Sequence, residues 1–104
     1  MKYQFSGILQ DMIEKAQTGS KEDIDYIMSY LTYESSFAMT RYVDFALSLV
    51  ENPFGLEQIK YYLFNGTLIQ RNYASLYLNR NGEWQIVKEA FKQGLIDEIQ
   101  AFAR

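Results

Sequence analysis

The stretch Gly55 to Arg80, GLEQIKYYLFNGTLIQRNYASLYLNR, reads as two short helices joined by a tight turn. Its first half places Leu56, Ile59 and Leu63 at i, i+3 and i+7, the spacing that gathers side chains on one face of a helix. Asn65-Gly66 ends that run, and Gly66 is the residue type that tolerates a left-handed conformation past a helix end. Thr67, with Gln70 three residues on, matches the capping box that opens the next helix. That helix runs through Leu68, Ile69, Tyr73, Leu76 and Tyr77.

Weaker copies of the stretch lie on both sides. Shifted forward by 28 residues, Leu56 falls on Trp84, Ile59 on Val87, Leu63 on Phe91 and Gly66 on Gly94; after the glycine the offset drops to 27, and Leu68, Ile69 and Ala74 meet Leu95, Ile96 and Ala101. Shifted back by 32, Ile24, Ile27, Tyr30 and Leu31 take the places of Leu56, Ile59, Tyr62 and Leu63, and with two extra turn residues Arg41 falls on Arg71. Repeats of this length mark stacked helical hairpins, because one pair cannot bury its apolar face alone. The pattern predicts one all-α domain, a right-handed stack of helical hairpins with about seven helices. Residues 1–19 form a capping helix, and residues 20–52, 53–81 and 82–104 form three pairs.

The segment RNYASLYLNRNGEW, Arg71 to Trp84, resembles the second helix of the short HEAT-like repeats of bacterial and phycobilisome-lyase type. It has an Arg at its start, Ala74 three residues later, a Leu in the next turn and a closing Asn-Gly. The likeness extends over Gly55 to Gly94. It implies an α-α superhelix whose second helices line a concave side. The chain departs from the family at three points: Gln70 stands where an acidic residue usually precedes the Arg, Asp44 takes the alanine position after Arg41, and the last copy has no Arg. Hairpins of tetratricopeptide or ankyrin type are the alternatives at this repeat length, although neither diagnostic string occurs.

Thirteen acidic and ten basic residues are mixed along 104 positions, a net charge of -3 with no basic patch to hold a phosphate backbone, which argues against nucleic acid as a partner. No apolar run approaches the roughly 20 residues needed to cross a bilayer, and MKYQFSGILQDM breaks its apolar pattern too early for a signal peptide. The expected location is the cytoplasm, away from membranes. Cysteine and histidine are both absent. That excludes Ser-His-Asp and Cys-His catalysis and the usual zinc sites. Neither a metal nor a cofactor is expected. Asn65-Gly66-Thr67 fits a glycosylation acceptor but reads as turn chemistry.

In chain order, the first helix is expected over Ser6 to Thr18, with Ile8, Leu9, Met12 and Ile13 inward. Ser20 with Asp23 signals the next cap, followed by Ile24, Ile27, Met28 and Leu31 on one face and Tyr26, Tyr30 and Tyr33 as a second stripe. The third helix, Ser36 to Glu51, is apolar around most of its circumference, so it is expected to be buried. Its polar stripe is Arg41, Asp44, Ser48 and Glu51, and Asn52-Pro53 stops it. The last helix runs from Leu95 to Arg104, and no strand is expected.

Arg41, Asp44, Arg71, Asn72, Ser75 and Asn79 lie on the second helices of successive pairs, and the resemblance makes them the candidate partner-binding surface. An Arg and Asp ladder that satisfies buried polar groups between repeats is the structural alternative. Tyr26, Tyr30, Tyr61 and Tyr62 are candidate contact aromatics, since tyrosine offers a rigid amphipathic surface; the alternative is core-edge packing with wet hydroxyls. Glu22, Asp23 and Asp25, and Asp97 with Glu98, read as helix-start acids rather than an active site. Trp84 reads as a packing anchor. The whole points to a non-catalytic adaptor that binds another protein or peptide, with a small-molecule or peptide-binding regulator using a tyrosine-lined pocket as the alternative. The apolar final helix, EIQAFAR, further predicts a homodimer, through that end or through the tyrosine stripe.

Overall fold

A computed structural model describes residues 7–104. The described residues form seven helices and no strand: α1 (Gly7–Thr18), α2 (Lys21–Met28), α3 (Phe37–Leu47), α4 (Pro53–Asn65), α5 (Leu68–Arg80), α6 (Trp84–Lys92) and α7 (Glu98–Phe102). The expected helix start at Ser6 lies outside them. The chain divides into two compact units, Met1–Leu56 and Glu57–Arg104, with the division one turn into α4.

In the first unit α1, α2 and α3 pack on one another. The core is Met12, Ala16, Ile24, Ile27, Met28, Val43, Ala46 and Leu47, closed by Leu31 and Val50 from the turns. Each such large side chain removed from water contributes about 1.5–3 kcal/mol. Ser20 caps α2 by accepting from the Asp23 N–H at 3.2 Å, as its spacing predicts. α2 stops at Met28, three residues before Leu31, because the Tyr30 and Leu31 N–H groups turn back to the carbonyls of Ile27 and Met28. Tyr33 therefore leaves the helical stripe and stands 87% exposed. Ile8 also faces out instead of in.

α3 differs most from expectation. It ends at Leu47, where Leu49 and Val50 donate to Ala46 and Leu47 in a tightened last turn. Only Thr40, Val43, Ala46 and Leu47 are buried within it, whereas Phe37 and Phe45 are 76% and 45% exposed. A helix apolar on two sides has been packed on one. Pro53 opens α4 as its first residue, a position where the missing N–H costs nothing. Asn52 serves both neighbours, donating to the Thr18 carbonyl at 3.0 Å and accepting from the Phe54 N–H at 2.8 Å.

In the second unit α5, α6 and α7 pack on one another, with Ile59, Leu63, Ala74, Leu78, Val87, Ala90, Ile96 and Ala101 buried. The Thr67–Gln70 capping box forms in full, with Thr67 accepting from the Gln70 N–H and Gln70 from the Thr67 N–H. Gly66 is not left-handed, contrary to expectation. Its role is close approach: a Cβ there would lie 2.8 Å from the Tyr62 carbonyl oxygen and 2.9 Å from the Gln70 Cβ. Gly94 is the left-handed one, at φ 76°. Its N–H donates to Phe91 and that of Leu95 to Ala90, the paired bonds of a Schellman closure.

Among the positions expected to match in the three helix pairs, Ile27, Ile59 and Val87 are all fully buried, as are Ala74 and Ala101 to within a few percent. Ile24, Leu56 and Trp84 grade from buried through half-buried to 47% exposed, and Phe91 is exposed where Leu31 and Leu63 are buried. Trp84 is thus no interior anchor.

Candidate functional site

The six polar candidates on second helices fall on α3 and α5. On α3, Arg41 is exposed and sets its guanidinium 5.5 Å from the centre of the Phe37 ring, while Asp44 is half-buried. Phe37, Arg41 and Phe45 recur every four residues, so they form one continuous stripe along the outer side of α3. Tyr42 stands exposed beside it. The stripe is an aromatic–arginine–aromatic surface whose middle member is a residue singled out from the sequence.

On α5 the four candidates separate. Asn79 is buried and its amide donates to the backbone carbonyls of Gln100, Ala101 and Ala103 at 3.4, 3.0 and 2.9 Å. It therefore latches the C-terminal end of α7, whose carbonyls lack partners within the helix. Its backbone carbonyl accepts from the Trp84 indole N–H at 3.1 Å, so one residue ties α5 to both α6 and α7. Ser75 is fully buried, with its hydroxyl on the Asn72 carbonyl at 2.7 Å. Arg71 donates from Nη1 to the Gly66 carbonyl at 3.2 Å, which braces the α4–α5 turn. The Arg71 Nε and the Asn72 Oδ1 are shielded from water and have no hydrogen-bond partner among the described residues. Asn72 also lines a cavity of about 310 Å³ between α5 and α7, with Tyr73, Leu76, Gln100 and Ala103.

Of the four tyrosines, Tyr26 and Tyr30 are half-buried and spend their hydroxyls internally. The Tyr26 hydroxyl donates to the Asp11 carboxylate and lies 3.0 Å from the Tyr30 hydroxyl, and the two rings meet edge to face at 5.4 Å. Lys15 completes the group, 3.2 Å from Asp11 and 4.7 Å from the Tyr26 ring centre. The bond from Tyr26, then that from Lys15, holds the Asp11 carboxyl below its ordinary value. Tyr26 is pushed well above the ordinary phenol value, first by its bond to Asp11. Such a network joins α1 to α2 and leaves these hydroxyls little for a ligand. Tyr61 is 54% exposed, edge-on to Tyr62 at 5.6 Å. The tyrosine in the α5–α7 cavity is Tyr73.

The acidic clusters serve helix starts. Asp97 accepts from the Gln100 N–H at 2.9 Å, and Asp23 accepts from the Thr18 hydroxyl. Among the described residues no three acidic side chains gather as a metal site would require, and no helix is long and apolar enough to cross a membrane. Sequence reasoning missed the outward role of Phe37 and Phe45, although their four-residue spacing around Arg41 was visible. It also missed Asn79 as a latch, for which the sequence offers no signal, since its partners lie more than 20 residues away.

Compared with known proteins, the chain matches no family model, no curated protein and no solved structure.

Proposed function

We propose that this protein is a non-catalytic, HEAT-like helix-pair module that binds another protein, and that the outer face of α3 is its contact surface. The observation that carries this reading is the exposed stripe of Phe37, Arg41 and Phe45. Water contact with two phenyl rings on one helix face is unfavourable, and aromatic residues with arginine are the types enriched where proteins meet. Truncating an exposed ring leaves the fold nearly untouched, commonly within ±0.5 kcal/mol. The Phe37→Ser protein is therefore expected to melt as the parent does while losing the partner that the parent captures in stoichiometric yield. Equal capture by both would remove α3 from the interface.

A second reading, as a regulator of small molecules or peptides, is favoured by the α5–α7 cavity, whose volume reaches the lower end of the range for ligand pockets. A metabolite panel that raises the melting temperature of the parent but not of Leu76→Trp, which fills the cavity, would favour it.

A further inference from the structure

We infer that the cleft between α6 and α7 docks an acidic peptide segment of a partner protein, seating one bulky apolar side chain against Trp84 with flanking carboxylates on Lys88 and Arg104. The cleft encloses about 130 Å³ and is lined by Asn79, Trp84, Lys88, Ala101, Phe102 and Arg104. That is well below the volume of pockets that hold drug-sized molecules and suits a single side chain. Its floor is fixed from below: the indole N–H is held by the Asn79 carbonyl, and the Asn79 amide holds the end of α7. The apolar surfaces of Trp84 and Phe102 nonetheless remain about half open or more.

Charge decides what fits over that floor. Lys88 stands one helical turn beyond Trp84 on the same face, and the Arg104 guanidinium lies 4.9 Å from the indole centre. Neither cation meets a carboxylate among the described residues; Glu83, next to Trp84, is 3.8 Å from Lys60 instead. No acidic side chain lines the cleft, although acidic residues outnumber basic ones 13 to 10 in the chain. An apolar socket rimmed by two cations complements a segment that carries an aliphatic side chain between carboxylates, and arginine pairs with carboxylates in a two-bonded fork. This site shares no residue with the α3 stripe and does not depend on it.

Trp84 is the chain's one tryptophan, so its fluorescence reports the cleft directly. The probe is the end-blocked pentapeptide Asp-Glu-Leu-Glu-Asp, titrated into the whole chain. The expected result is a saturable change in emission, with binding at least tenfold tighter than that of the neutral peptide Asn-Gln-Leu-Gln-Asn or the truncated Asp-Glu-Ala-Glu-Asp. The Lys88→Gln/Arg104→Gln protein should bind it at least tenfold more weakly. Should that variant fail to fold, raising salt on the parent to about 1 M, where charges are screened beyond roughly 3 Å, should erase the preference for the acidic peptide. The Phe37→Ser protein should bind it as the parent does, so this inference and the α3 proposal fail separately. No saturable change, equal binding of the neutral peptide, indifference to salt, or an equal response to inorganic phosphate or an oligothymidylate would overturn the inference.

Discussion

Asn79 shows how much one buried amide can organise. Three backbone carbonyls at and just past the end of a five-residue helix converge on its Nδ2, and the indole of the next helix rests on the backbone carbonyl of the same residue. A helix this short has no stability of its own, so α7 exists by virtue of its neighbours. Asn79→Ala leaves those carbonyls unpaired, the Ala101 one buried, and is expected to cost about 1–3 kcal/mol. Asn79→Asp keeps the shape but offers no donor, and should cost at least as much. Hydrogen exchange of the α7 amides checks both, and protection equal to that of the parent in either variant would contradict the latch. The Asp11–Tyr26 pair makes a second residue-scale prediction. Asp11 titrates below its ordinary 3.8 in the folded chain, so the stability it lends is present above that pH and is lost as the pH falls further. Tyr26 titrates above its ordinary 10.0, so its share is present below that pH and is lost as the solution becomes more alkaline. Tyr26→Phe should flatten the alkaline limb of a pH–melting curve and shrink the acid limb, where Lys15 still acts on Asp11.

At the scale of elements, Gly66 and Gly94, which the sequence pattern sets at matching places, do different work, and substitution separates them. Gly94 has open space around a would-be Cβ but a left-handed backbone; Gly66 has ordinary backbone angles and no space. Asparagine tolerates the left-handed region better than alanine does. Gly94→Asn is accordingly expected to be milder than Gly94→Ala, which should cost about 1–2 kcal/mol. At Gly66 either side chain meets the Tyr62 carbonyl, so asparagine should bring no relief. Equal behaviour at the two sites in thermal melts would contradict these assignments. Local signals were the most legible part of the sequence: Ser20 with Asp23, and Thr67 with Gln70, mark true helix starts because capping is decided within four residues. Helix ends were less so. α2 and α3 both stop early in i+3 turns that no residue type dictates.

For the molecule as a whole, the all-helical class follows from the apolar period, and Ile27, Ile59 and Val87, which that period sets on inward faces, are all fully buried. What the sequence could not convey was which side of a doubly apolar helix faces inward. α3 carries Val43, Ala46 and Leu47 on one side and Phe37 and Phe45 on the other, and composition assigns both to the interior. The residues left outside are the ones offered here as contact surface. The most direct measurement of that role places a photo-crosslinking amino acid at position 37 or 45 of α3, and separately at exposed Glu14 or Gln17 of α1, in cells that make the protein. One partner protein should be trapped in high yield from α3 and not from α1. The absence of any trapped protein at positions 37 and 45, or equal trapping from both helices, would contradict it.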